Sequence, residues 1–280
     1  ILIEEEGDYT FRMEEPIQII KTVVVSAGRR DQDIEDVSIS MEILRPELID
    51  NKGLADLEQA VDQSPGVYAM DGQVSIRGGS GFAYGAGSRV LLLWNGIPII
   101  SGDAGDVKWT TVPIENASQI EVIKGASSVL YGSGALNGII SLTEREPSKK
   151  GELRAKVQAG VYDDPKRKSL NWWKTGNPMF YQGEVFYGKM YKKIGYTVSI
   201  NGVTNEGFKQ GETEDRARVS GSVFFRPERF KKMKVGLGYN VQYQKTGNFI
   251  IWQSDTFAYT PGGGADTSNP ASTLTYNSGI

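Results

Sequence analysis

The chain has 280 residues, enough for one large domain or two ordinary ones with a substantial core. Lys+Arg 31 against Asp+Glu 34 leaves a formal charge of -3 and no basic block to track phosphates, so a nucleic-acid partner is not expected. The chain has no histidine and no cysteine, which removes Ser-His-Asp and Cys-His catalysis, disulfides, thiolate metal sites and the commonest zinc ligand. Most hydrolase and metalloenzyme readings therefore fail, and no cofactor or metal site is expected.

Residues 1–20 contain Asp8-Tyr9-Thr10-Phe11-Arg12-Met13, a short alternating strand, and are expected to be the tail of a small β-domain. Residues 21–29 follow as an extended β-branched stretch, in which Thr22, Val23, Val24, Val25, Ser26 and Ala27 precede a glycine and two arginines. Residues 30–147 read as an α+β domain. A helix and turn are expected over 54–67, closing on Ser64-Pro65-Gly66-Val67. Next come Ile76-Arg77-Gly78, a glycine-rich run with Phe82 and Tyr84, and the apolar stretch from Arg89 to Pro98. That stretch breaks at Asn95, so it is too short for a membrane-spanning helix. A loop with Asp103, Asp106 and Trp109 leads to a strand through Glu121 and Lys124, then a run of small residues expected to be too glycine-rich for a helix, and a return strand at 139–142. The glycine run 78–87 lacks the third glycine of a dinucleotide loop and any following Gly-Lys-Ser/Thr. Two aspartates without further oxygen ligands make no calcium site, and Asp103 and Asp106 read as solvated loop acids.

Residues 148–280 change to period two. Met233, Val235, Leu237, Tyr239, Val241 and Tyr243 alternate with polar or glycine residues, as do Leu153, Ala155, Val157, Ala159 and Val161. Five strands are expected, with short connections near 192–195 and 227–231. Long connections are expected over 163–180, 206–216 and 246–280, as in barrels with short turns at one end and long loops at the other. A soluble β-sandwich shows the same alternation, and low hydropathy does not exclude a barrel, whose strands alternate.

The stretch from Gln119 to Gly138, with Glu121, Lys124-Gly125 and Tyr131-Gly132, closely resembles the plug signature of TonB-dependent outer-membrane receptors. Lys124 stands where that family usually has arginine, and Asn95-Gly96 where Asp-Gly is commoner. The resemblance implies an α+β plug domain followed by antiparallel transmembrane β-barrel strands, the N-terminal part of a barrel of about 22 strands. Five strands cannot close, so a longer polypeptide is expected. The implied function is transport without catalysis, so no enzyme is expected: substrate binds above the plug and is imported to the periplasm with energy from the inner-membrane TonB complex, with ExbB and ExbD.

Further expectations follow from the resemblance. Thr22, Val23, Val24, Val25, Ser26 and Ala27 would be the TonB box, coupling by strand addition. Arg77, Arg89, Glu121 and Lys124 would face the barrel, Arg77 and Lys124 meeting wall glutamates beyond residue 280. Phe82, Tyr84, Asp103, Asp106 and Trp109 would face the substrate, Trp109 above all, with packing beneath its loop as core the competing reading of that tryptophan. Residues 1–20 are similar to the last strand of the carboxypeptidase-regulatory-like domain that precedes the plug in Bacteroidota receptors, some of which carry a surface lipoprotein lid. The expected location is the bacterial outer membrane, in contact with its lipid. The rival readings are a same-fold receptor for signalling or protein export, and a soluble β-rich binding protein.

Overall fold

The computed structural model describes residues 23–24, 32–70, 72–79, 88–101, 105–126, 128–173, 175–229, 233–248, 252–262 and 272–279. Its first part comprises Val23–Val24 (β1), Gln32–Asp33 (β2), Met41–Leu44 (β3), Pro46–Lys52 (α1), Leu57–Val61 (α2), Val67–Met70 (β4) and Gln73–Ile76 (β5). Val90–Trp94 (β6), Ile97–Pro98 (β7), Ala117–Lys124 (β8), Ser128–Tyr131 (α3) and Gly138–Glu144 (β9) complete it. Strands β1 and β2 pair antiparallel, as do β4 and β5, and the main sheet runs in the order β3-β8-β9-β6-β7.

Local chemistry sets the helix ends. Pro46 supplies a fixed φ at the start of α1, and Gly53, at φ 63, ends it in the left-handed region that a side chain disfavours. Asp56 caps α2 by accepting the Gln59 N–H at 2.8 Å. Of the helix and turn expected over 54–67, the helix is Leu57–Val61 and the turn follows it, the Val67 N–H donating to Ser64 O at 3.0 Å; α1 is an element the sequence reading lacked. The small-residue run after Lys124 does hold one helical turn, α3, contrary to expectation; a single turn tolerates the flanking glycines because it ends before Gly132.

Every residue of β6 is buried, because the sheet is covered on both sides. On one side Leu57, Ala60 and Val61 of α2 share a core with Val90, Leu92, Ile120, Val122, Ile140 and Leu142. On the other, Leu91, Leu93, Ile123 and Ile139 pack with Ala135.

The second part is a wall of six strands in sequence order, all antiparallel: Glu152–Val161 (β10), Met179–Tyr191 (β11), Ile194–Asn205 (β12), Glu214–Phe225 (β13), Val235–Asn248 (β14) and Ser272–Gly279 (β15). The sequence predicts five. The sixth lies in the stretch expected to be loop, where Ser272–Gly279 carries only Leu274 and Tyr276 as large apolar residues and so shows little alternation. The sheet is open, with β10 and β15 at its edges.

Burial on the wall is inverted relative to a water-soluble sheet. Val157 is 85% exposed and Leu237 75%, and Leu153, Val161, Ile200, Val219, Val223 and Val241 share that outer face. Gln182, Ser199, Asn201, Arg216, Arg218, Ser220, Asn240 and Gln242 are buried on the other. Apolar side chains outside and polar ones inside are the arrangement that lipid, not water, stabilises.

The plug sits on the polar face. The chain passes from β9 into β10 through residues 145–151, where the Met190 N–H donates to Ser148 O at 2.9 Å, beside the short turn at 192–193. The Arg226 N–H donates to Lys193 O at 2.9 Å, so the turn after β13 lies at the same end. The longer connections after β10, β12 and β14 lie at the other end. Because β6 and β9 are parallel and β8 antiparallel to them, Trp94 and Glu144 face the short-turn end, whereas Val90, Lys124 and Gly138 face away from it.

Candidate functional site

Between β7 and β8 the chain makes two 3-10 turns, Trp109–Thr111 and Ile114–Asn116, and this segment is the principal contact between plug and wall. Its apolar side chains, Trp109, Val112 and Ile114, enter the plug core, which turns its backbone carbonyls toward the wall. A carbonyl buried there needs a donor, and β13 and β14 supply them. The Arg218 guanidinium donates to Thr110 O at 2.6 Å and Val112 O at 3.1 Å, and the Asn240 amide donates to Thr111 O at 2.7 Å. Thr110 Oγ1 donates to Gln244 Oε1 at 2.9 Å.

Arg218 also forms an ion pair with Glu115 at 2.6 Å, both side chains being 2% exposed. Ser199 Oγ donates to the second Glu115 oxygen at 3.3 Å, so the buried carboxylate is satisfied on both sides. In register, Glu184, Asn201, Arg218 and Gln242 form one row across β11 to β14, which places the guanidinium in a polar belt rather than against apolar neighbours.

A second contact joins α1 to the wall. Asp50 pairs with Arg154 and, at 3.9 Å, with Lys156, while Gln158 Nε2 donates to Gly53 O at 3.2 Å and Arg216 to Ala55 O at 3.4 Å. Between the two contacts lies a cavity of about 200 Å³ lined by Asp50, Glu115, Arg154, Lys156, Glu184 and Phe186. A third contact is at the short-turn end, where Glu146 pairs with Arg226 and, at 3.4 Å, with Lys234. Partial burial alone would push the Glu146 carboxyl up, but the hydrogen bond from Arg226 and the charges of Lys234 and Arg226 hold it below its ordinary value.

The polarity of these contacts is opposite to that expected for Arg77 and Lys124 with wall strands beyond residue 280. The acids, Asp50, Glu115 and Glu146, are on the plug side, and the cations, Arg154, Lys156, Arg218, Arg226 and Lys234, are on the wall. Lys124, expected to reach the wall, is used inside the plug: it donates to Glu42 at 2.6 Å and to Pro65 O at 2.8 Å. The reason is its place at the end of β8 beside β3, where its N–H already meets Ser40 O at 2.9 Å. Glu121 is fully buried on β8 and accepts from Gln119 at 2.6 Å. Arg77 and Arg89 are exposed and meet no acid among the described residues. Arg77 sits at φ 52 and donates its N–H to Gly66 O at 2.7 Å.

Of the two loops expected to face the substrate, only the flanks are described. Phe82, Tyr84 and Asp103 lie outside the described residues, but the flanks meet where the Ser88 N–H donates to Gly105 O at 3.0 Å. Asp106 closes its loop, accepting the Ser101 N–H through its carbonyl at 2.8 Å and pairing with Lys108 at 2.9 Å. Trp109, the preferred substrate contact, is 3% exposed and belongs to the plug core, which is the competing reading of that residue; its ring anchors the 3-10 turn from within. Of the coupling residues, only the backbone of Val23 and Val24 is described, paired with Asp33 and Gln32; Thr22, Val25, Ser26 and Ala27, and all of residues 1–20, lie outside the described residues.

Sequence reasoning missed Asp50, Glu115, Arg154, Arg216 and Arg218. A signal was present: Arg216 and Arg218 occupy the face of β13 opposite Ala217 and Val219, and two cations at spacing two on the inner face of a wall strand require acids or carbonyls opposite them.

Residues 33–139 match the TonB-dependent Receptor Plug Domain. A vitamin B12 transporter from Photobacterium profundum is 31% identical over 149 residues, 51% of this chain and 23% of that protein. One from Vibrio vulnificus is 31% identical over 160 residues, 55% of this chain and 25% of that protein. The chain therefore spans about a quarter of the length of these relatives. Among solved structures, the ferric-catecholate import receptor Fiu from E. coli K12 has a TM-score of 0.59 at 20% identity, over 80% of this chain and 30% of that one. The siderophore receptor PirA from Pseudomonas aeruginosa has a TM-score of 0.57 at 18% identity, over 74% and 35%. The chain is thus a relative of TonB-dependent receptors, with the fold of their plug and of the wall strands that follow it.

Proposed function

We propose that this chain is the plug and first wall strands of a TonB-dependent transporter of the bacterial outer membrane, which binds an extracellular cargo above the plug and imports it to the periplasm. The observation that carries the reading is a plug domain seated, through a buried ion pair and carbonyl-to-guanidinium bonds, on the polar face of a sheet whose other face is apolar and exposed. A soluble binding protein would leave that face in water at a large hydrophobic cost.

Cargo meets the plug at the loops that carry Phe82, Tyr84, Asp103 and Asp106. Thr22, Val23, Val24, Val25, Ser26 and Ala27 couple to TonB, and through it to ExbB and ExbD, by adding a strand. Arg77 and Arg89, exposed on the plug, meet wall strands that follow residue 280. Residues 1–20 close a β-sandwich of the kind that precedes the plug in Bacteroidota receptors, and a surface lipoprotein lid fits that type.

The test is Val24→Pro in the intact receptor. Proline removes a backbone donor from the coupling segment and leaves the plug core untouched. Uptake of the cargo should fall while its binding at the cell surface persists. Uptake equal to the unmodified receptor would refute the coupling assignment, and recovery of the intact protein in the soluble fraction without detergent would refute the transporter reading as a whole.

A further inference from the structure

The short-turn end of the wall carries a collar of cations, of which the plug contacts use only Arg226 and Lys234, both on Glu146. We propose that this collar binds the headgroups of anionic phospholipids in the leaflet at that end, an inference that rests on the membrane reading above. Lys149 and Lys150 lie in the linker to β10, Lys189 near the end of β11, and Lys192 and Lys193 in the turn before β12. Arg226, Arg229 and Lys234 flank the next turn. All are gathered at one end by the bonds from Met190 to Ser148 and from Arg226 to Lys193.

The acids there are too few to neutralise them. Glu146 is shared by Arg226 and Lys234, Glu152 lies 3.8 Å from Arg145, and Glu228 takes Lys193 at 3.1 Å. Lys149, Lys150, Lys189 and Lys192 take no acidic partner among the described residues. The opposite end is mixed instead: Asp163, Asp164, Glu206, Glu212 and Asp255 are interspersed with Lys166, Arg167, Lys168 and Lys209.

Two further features identify the occupant as lipid. The collar is continuous with the apolar outer face, since exposed Tyr191, Ile194, Val223, Phe225 and Val235 lie directly beside it. Aromatic rings stand among the cations, with Lys192 5.5 Å from the Tyr191 ring and the Tyr187 and Tyr196 rings 6.0 Å apart. Rings at the boundary and ammonium groups just beyond it fit the headgroup layer, where the lysine stem stays in the apolar region and the charge reaches phosphate.

The experiment titrates the intact receptor in detergent with phosphatidylglycerol and with phosphatidylcholine, reading retained lipid by native mass spectrometry. A variant combining Lys149→Gln, Lys150→Gln, Lys189→Gln and Lys192→Gln removes only cations without an acidic partner. Each contributes about fivefold near an anionic surface, so retention of phosphatidylglycerol should weaken by on the order of a hundredfold after screening, and high salt should weaken it in the unmodified receptor. Lys166→Gln with Lys168→Gln, at the other end, should change nothing. Equal retention of the two lipids, or of phosphatidylglycerol by both receptors, overturns the proposal, as does a quadruple variant that keeps the lipid but loses a periplasmic protein. A receptor that enters bilayers without preferring phosphatidylglycerol refutes this inference alone; one that never enters them refutes the transporter reading too.

Discussion

Glu115→Ala tests the principal contact between plug and wall. The substitution leaves Arg218 buried without its carboxylate, and breaking a buried pair in this way costs about 3 to 5 kcal/mol. Arg218 keeps its bonds to Thr110 O and Val112 O, which hold the guanidinium in place and bring the expected cost to the lower end, about 3 kcal/mol. Hydrogen exchange on the intact receptor reads the effect locally: amides of residues 109–116 should exchange on the order of a hundredfold faster, since about 1.4 kcal/mol is a factor of ten. Amides of β11 to β13 away from the contact should be unchanged, because their ladders do not depend on the plug. The double variant Glu115→Ala with Arg218→Met should recover much of the loss, because no charge is then stranded. Asp50→Asn supplies the contrast: Asp50 and Arg154 are both about a third exposed, and a pair of that kind contributes no more than about 1 kcal/mol. Equal effects of Glu115→Ala and Asp50→Asn, or exchange at 109–116 unchanged by the first, would refute the reasoning that burial makes this pair the main attachment.

Three further outcomes are expected. The lowered Glu146 carboxyl binds its proton less readily when docked, so its contribution is present above the ordinary carboxylate value and is lost as pH falls through the docked value; proteolysis of the 145–151 linker should quicken only below about pH 4, by a few tenths of a kcal/mol, and Glu146→Gln should abolish the pH dependence. Asn95→Asp should destabilise the plug by about 2 kcal/mol at neutral pH in thermal unfolding and less in acid, because Asn95 Nδ2 donates to Glu144 at 2.9 Å and an aspartate would set two carboxylates against each other; unchanged stability at neutral pH would remove the donor role. Trp109→Ala should cost about 3 to 5 kcal/mol of plug stability and leave cargo affinity unchanged in the folded fraction, and the opposite pattern would restore Trp109 as a cargo contact.

What was legible in the sequence divides along a physical line. The wall strands were visible because lipid on one side and a polar interior on the other impose period two on every residue, and the register of β10 to β14 follows that pattern. The plug was visible through glycines and turns that only certain residues tolerate, Asn95 at φ 50 and Gly96 at φ 81 among them. The contact between the two parts was not visible, because it is made by partners more than a hundred residues apart, as Glu115 is from Arg218, and neither neighbourhood alone marks its charge as buried. The same separation misdirected the reading of Trp109 and Lys124. A tryptophan in a loop and a basic residue at a strand end each look available in one dimension, and only the packing of α2 over the sheet, or the arrival of Glu42 on β3, determines what they touch. Asn95 runs the other way: a departure from the commoner aspartate, unexplained along the chain, becomes a requirement once Glu144 is placed beside it, because the amide supplies the donor that a carboxylate lacks.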